Sequence, residues 1–324
     1  MTFADILNLY NEQLKDIEER LVIPLGSEIG TINNLISSTI NSGGKRIRPL
    51  LLLLTAGLSG YKGDYVTDLG TVIEYFHTAS LLHDDVIDMA LSRRGKPNAN
   101  AIYGNNITVL SGDYLYSKAF LKLLDLPGKE YARVLTKAVV SMSEGEIFQL
   151  NKTGDLSLTI DEYLRIIYGK TAALFSATCE CSALLGDLSP EMYKELRNFG
   201  LNVGYAFQLK DDVLDYFGDE TVLGKKPGTD FFEKKNTLPV ILLLKETEGD
   251  EKAFICELFL SGRDANDRMI EFIDIMNKYD IQNKSNAFLK QKVDAAASSL
   301  AKFPGSIYKD ALSVFLQELN LRIN

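Results

Sequence analysis

Apolar residues in this chain recur at intervals of three and four over most of its length. Near the start Ile6, Leu9, Tyr10, Leu14 and Ile17 keep that interval, which lines them along one face of a helix. Comparable stripes run over residues about 28–41, 48–59, 66–90, 107–124, 129–151, 160–186 and 190–218. They resume around 237–246, 251–261, 265–278, 282–302 and 306–321. No segment alternates apolar and polar residues over a strand length with turn signals on both sides. The pattern predicts an all-α fold of roughly ten or more helices. No linker-like stretch interrupts it, so residues 1–324 are expected to form a single domain.

Composition excludes several alternatives. With 46% hydrophobic and 24% charged residues the chain can bury a large core, which argues against disorder. The net charge is −9 and no basic stripe is visible, so no nucleic-acid partner is expected. Cys179 and Cys181 are two apart in a helical pattern and point to different faces. With Cys256 distant and only two histidines, a zinc site is not expected, and the thiols read as buried and reduced. The N-terminus lacks a signal-peptide pattern. The longest apolar run, Pro49 to Leu54 and slightly beyond, is far too short for a transmembrane segment. A soluble, cytoplasmic protein is expected.

Two acidic clusters carry the chemistry. Asp84, Asp85 and Asp88 follow a long apolar helix, and their spacings of three and four crowd them into one helical sector. Asp211, Asp212 and Asp215 repeat the D-D-x-x-D spacing 127 residues later (211 − 84). One such cluster reads as a solvated helix end. Two, each after a buried-looking helix, predict a pair of carboxylate sets facing each other across a helical bundle, where hard cations would clamp a diphosphate. His77 lies two turns before Asp84 on the same face, and Gln208 shares a face with Asp211. A glycine-led basic turn, Gly43-Gly44-Lys45-Arg46-Ile47-Arg48-Pro49, and the pair Arg93-Arg94 supply donors suited to a second, metal-free diphosphate. The stretch from Gly218 to Asn236, rich in Gly, Lys and Asp, is the longest expected loop and a candidate lid.

These residues together resemble the trans-isoprenyl diphosphate synthase family, also called the polyprenyl synthetases. The likeness runs from Gly43–Pro49 through Asp84–Asp88 and Arg93-Arg94-Gly95 to Gly169-Lys170-Thr171. It continues through Phe207–Asp215 to Gly224-Lys225, Gly228, Asp230, Lys235 and Thr237-Leu238-Pro239. The resemblance implies the all-α fold of isoprenoid synthases, a single-domain bundle around a central cavity, and a homodimer. It implies condensation of isopentenyl diphosphate with an allylic diphosphate, using Mg2+, three ions per active site. Asp84 and Asp88, with Asp85 close by, and Asp211 would bind magnesium; Asp212 and Asp215 would be further ligands or support them. Arg93 and Lys170, helped by Lys225 and Lys235, would contact the allylic diphosphate. Lys45, Arg48, His77 and Arg94 would hold isopentenyl diphosphate. Thr171 and Gln208 would turn oxygens toward the developing carbocation, and Gln149 has an even chance of touching substrate.

Within that family, bulk four and five residues before the first metal-binding Asp limits product length. Here those residues are Ser80 and Ala79, both small, which implies a medium- or long-chain, octaprenyl-like member with a product in the C25–C40 range. Phe76, a further turn down, is either a lower floor or core. Three other readings compete: a farnesyl or geranylgeranyl diphosphate synthase, a class I terpene cyclase or head-to-head synthase, and a non-catalytic regulatory subunit. The second diphosphate pocket argues against a cyclase, and the complete carboxylate sets argue against a dead subunit.

Overall fold

The computed structural model describes residues 2–22, 27–41, 43, 46–90, 92–93, 96–218, 228–262 and 268–321. The expected all-α fold is observed. The helices are α1 Phe3–Leu9, α2 Asn11–Val22, α3 Gly30–Asn41, α4 Ile47–Leu58, α5 Tyr65–Ile87, α6 Ala99–Tyr103, α7 Asn105–Leu124, α8 Glu130–Lys152, α9 Ile160–Ile167, α10 Ala173–Leu185 and α11 Pro190–Phe217. Shorter helices follow at Thr229–Phe232, Leu238–Glu246, Gly249–Ser261, Met269–Lys278, Ile281–Ala301 and Ile307–Leu321. Among the described residues the only extended pairing is two residues against two, Ser92–Arg93 antiparallel to Lys96–Pro97. The first apolar stripe is two helices rather than one, interrupted at Tyr10. The stripe over 160–186 is broken by a π-helical turn at Tyr168–Ala172.

The chain divides into two units whose boundaries fall inside helices, not in linkers. One comprises Met1–Val139, Ala177–Arg197 and Leu300–Phe315; the other Val140–Ser176, Asn198–Ser299 and Leu316–Asn324. In the first unit α5 packs against α2, α4 and α7. Helix α4 is apolar on every side, and Pro49 through Ala56 are all buried, as suits an interior helix. Each leucine so buried contributes roughly 1.5–3 kcal/mol. Gly70 lets α2 approach, because a Cβ there would sit 2.7 Å from Ile17 Cδ1.

The second unit has an aromatic core. The Phe231 and Phe272 rings are 4.9 Å apart, with Phe259 and Tyr216 against them. Helix Leu238–Glu246 starts with Pro239 in its first turn, where the missing N–H costs nothing, and its residues Leu238–Leu244 are all buried. Among the described residues no helix is long and apolar enough to cross a membrane.

Candidate active site

In the first unit the acidic cluster closes α5, with Asp84 and Asp85 in its last turn and Asp88 at its C-cap. That is the negative end of the helix dipole, where carboxylates are disfavoured by roughly 0.3–1 kcal/mol each, and the last turn contains no basic residue. Asp84 and Asp88 are partly exposed, whereas Asp85 is buried. Two side-chain amides from the start of α6 tie this end down. Asn100 Nδ2 donates to the Asp85 carbonyl at 2.9 Å and Asn98 Nδ2 to the Ala90 carbonyl at 3.0 Å. The Asp85 carbonyl also accepts from the Ala90 N–H at 3.0 Å, so the chain leaving α5 is closed on itself and clasped by α6.

The face of α5 toward α7 carries Phe76, Ser80 and His83. Phe76, fully buried, packs its ring on Phe120 at 5.2 Å and Tyr116 at 5.9 Å. His83 approaches Val109 O at 3.1 Å and Asp113 Oδ1 at 3.3 Å, in a space that Gly112 leaves open. Burial, with the negative charges of Asp84 and Asp113, pushes the Tyr116 hydroxyl up to about 12. Ala79 is fully buried, and the half-buried Ser80 donates to the His77 carbonyl at 2.8 Å.

The basic turn before α4 divides its cations. Arg46 points inward: its guanidinium donates to Glu18 at 2.9 Å, to the Ile40 carbonyl at 2.8 Å and to Glu74 at 3.4 Å. Burial raises the Glu74 carboxyl, and the charges of Arg46 and Arg48 pull it back down. Half-buried Arg48 is thus within electrostatic reach of Glu74, one helical turn before the half-buried His77. Lys45, Arg94 and Lys225 lie outside the described residues, as do residues 219–227 of the expected lid. Arg93 is paired, Cα to Cα, with Lys96 in the two-residue ladder.

In the second unit a π-helical turn carries Lys170 and Thr171. Bulges of this kind are frequent at functional sites. Glycines from two helices grip it. A Cβ on Gly145 of α8 would lie 2.8 Å from Gly169 Cα, and one on Gly204 of α11 would lie 2.5 Å from Ala172 Cα. Lys170 pairs with Glu146 at 3.1 Å. The buried Thr171 hydroxyl donates to Gln208 Oε1 at 2.6 Å, and Gln208 Nε2 donates to Asp212 Oδ1 at 2.7 Å. The other oxygen of Asp212 accepts from the Tyr163 hydroxyl at 2.6 Å. Burial pushes Asp212 up to about 6, while these hydrogen bonds oppose the shift.

The second acidic cluster also lies in the last turns of a helix, α11, again with no basic residue in the final turn. Asp211 is exposed, but Asp212 and Asp215 are buried. Asp215 Oδ2 accepts from the Asp230 N–H at 2.8 Å, and its carbonyl accepts from Gly228 N–H. It thereby holds the start of helix Thr229–Phe232. Lys210 turns away from its acidic neighbours and caps the final helix, donating to the Glu318 and Leu319 carbonyls at 2.8 Å each. Lys235 pairs with Glu233 at 2.7 Å, and Gln149 is half-buried.

Sequence reasoning missed Tyr163, Glu146, Lys210 and the Asn98/Asn100 clasp. Only Tyr163 had a nearby signal, the capping box Thr159-x-x-Glu162 that starts its helix. Among the described residues no three His, Cys, Asp or Glu side chains converge as a metal cage. Magnesium needs none, since it takes one or two carboxylates and completes its shell with water and phosphate oxygens. The partly exposed, oxygen-only donors Asp84, Asp88 and Asp211 fit such an ion.

A family model described as polyprenyl synthetase matches residues 30–276. The chain is 35% identical over 313 residues to octaprenyl diphosphate synthase of Escherichia coli K12, covering 96% of each protein. Its structure is similar to a decaprenyl diphosphate synthase from Rhodobacter capsulatus, with a TM-score of 0.94, 33% identity and 99% of each chain covered. It is also similar to a Caulobacter crescentus polyprenyl synthase described as complexed with calcium and isoprenyl diphosphate. There the TM-score is 0.92 and the identity 32%, over 99% of this chain and 98% of that one.

Proposed function

Because the chain belongs to the polyprenyl synthetase family and is a trans-polyprenyl diphosphate synthase, we propose that it condenses isopentenyl diphosphate head-to-tail onto an allylic diphosphate with Mg2+. The observation that carries this reading is the placement of both acidic clusters. Each lies at the negative end of a helix dipole, with no basic residue in the last turn and its leading carboxylate partly or fully exposed. Asp84, Asp88 and Asp211 are assigned as magnesium ligands, three ions per active site. Asp85, Asp212 and Asp215 orient the turns that carry them. The calcium in the C. crescentus relative is in keeping with a hard-cation site.

Bound magnesium supplies the positive charge that lets the allylic diphosphate depart. The chain's own residues bind, orient and select. Arg48 and His77, with Lys45 and Arg94, hold isopentenyl diphosphate. Lys170, with Arg93, Lys225 and Lys235, holds the allylic diphosphate. The Thr171 hydroxyl spends its proton on Gln208 and keeps its lone pairs for the developing carbocation. Steady-state assay with isopentenyl diphosphate, allylic primers and magnesium tests the assignment. Asp84→Asn and Asp211→Asn should each cut kcat by at least ~100-fold with the helical circular dichroism intact. Near-normal turnover in either would refute it, and primer consumption without chain extension would favour a cyclase.

The small Ala79 and Ser80 support a product of C25–C40, with Phe76, Tyr116 and Phe120 as the aromatic wall below them. A homodimer is also proposed. Helix α7 exposes Ile107, Leu110, Leu121 and Leu124, the last at 77%. Their positions follow a heptad seam through Tyr114 and Ser117, and such a seam suits a second copy of the same helix. Leu121→Lys should shift the mass measured by light scattering from dimer to monomer.

A further inference from the structure

Tyr163 is fully buried, and its hydroxyl meets a carboxylate in the second unit, so the pair has been brought out of water together. Its helix is fixed from outside the site. The Thr159–Glu162 capping box starts α9, and Lys152 pairs with Glu162 at 3.0 Å. From this anchored helix three short hydrogen bonds run in series. Tyr163 donates to Asp212 Oδ2, Gln208 donates to Asp212 Oδ1, and Thr171 donates to Gln208 Oε1.

The carboxylate sets the direction of every link. When ionised it only accepts, so the Tyr163 hydroxyl and the Gln208 NH2 group must both donate to it. The amide carbonyl then faces Thr171, and the threonine hydroxyl must donate. We infer that Tyr163 is a positioning residue for prenyl transfer: by pinning the Asp212 carboxylate it fixes the Gln208 amide and, through it, the orientation of the Thr171 hydroxyl. This rests on the role proposed above for Thr171.

The test is a double-mutant cycle on the magnesium-loaded enzyme with saturating isopentenyl diphosphate and allylic primer. Tyr163→Phe should lower kcat about tenfold and leave both KM values within about threefold, because the lost order matters at the reacting carbon and not in ground-state binding. Thr171→Val should lower kcat by more. The double variant should match Thr171→Val within about twofold, since Tyr163 acts only through that hydroxyl. A merely structural tyrosine would multiply the two losses, and that result overturns the inference. So does wild-type kcat in Tyr163→Phe. If Thr171→Val itself retains wild-type kcat, the reading of Thr171 fails and the inference with it. Should Tyr163→Phe not fold, Asp212→Asn breaks the same series and must likewise add nothing to Thr171→Val; multiplied losses there overturn the proposal.

Discussion

Gly145→Ala is expected to destabilise the protein, opposite in sign to the usual effect of removing a glycine from a helix. Gly145 lies well inside α8, and an exposed glycine there would gain about 1 kcal/mol on becoming alanine. Here the new methyl would sit 2.8 Å from Gly169 Cα, 2.9 Å from Lys170 N and 3.0 Å from Gly169 C. All three are backbone atoms, so no side chain can swing aside. Overpacking of this kind costs about 1–3 kcal/mol. Set against the helix gain, the net loss is about 0–2 kcal/mol, a fall of several degrees in Tm at most. Activity should suffer more than stability. The atoms pushed belong to the turn that presents Lys170 and Thr171, and a displacement near 1 Å at a reacting centre can cost about 100-fold. Calorimetry and steady-state kinetics on the same preparation decide the matter. A raised Tm with unchanged kcat would show that the close approach of α8 to the π turn carries no constraint.

Three further outcomes are expected. Arg46→Ala should cost roughly 3 kcal/mol in urea unfolding because it strips a partner from the buried Glu74, and Glu74→Gln in the same chain should recover part of it; equal stability of the single and double variants would refute the pairing. Ala79→Tyr should shorten the product toward C15 or C20 in chromatography of dephosphorylated products, and an unchanged length would place the limit elsewhere. For Asp212, burial holds the folded carboxyl at about 6 against an ordinary 3.8, so between those values the unfolded chain releases its proton first and stability falls as pH rises. The unfolding free energy of metal-free wild type, minus that of Asp212→Asn, should therefore decline across that window; a flat or rising difference contradicts the assignment.

Much of this was legible in the residues, because helix periodicity is a local property. Of the thirteen stripes read from spacing, eleven recur as single helices whose ends mostly move by a residue or two, and two are split. The π turn at Tyr168–Ala172 was not legible. Its cause lies in the close approach of Gly145 and Gly204, distant in sequence, and an inserted residue hardly disturbs an apolar stripe on both of its sides. Nor did charge alone say which cations serve the site. Arg46 and Arg48 are two residues apart in one basic turn, yet Arg46 is spent on Glu18, Glu74 and a helix-end carbonyl.

The two D-D-x-x-D clusters make the same point about the chemistry. Their spacing is identical, and a helix of uniform geometry would present both sets alike. The structure leaves Asp84 and Asp88 partly exposed around a buried Asp85, but in the second cluster buries two of three and leaves Asp211 outside. In the second cluster the Tyr163 hydroxyl, from another helix, takes one oxygen of Asp212 and the Gln208 amide, one turn back in the same helix, takes the other, while the Asp230 N–H takes one of Asp215. A carboxylate so engaged is held in one orientation and still has acceptor sites to spare. It ties its neighbours together, Asp215 the helix Thr229–Phe232 and Asp212 the Tyr163 hydroxyl and the Gln208 amide. Identical spacing in the sequence therefore leaves the burial and orientation of each carboxylate to be set by the residues folded against it.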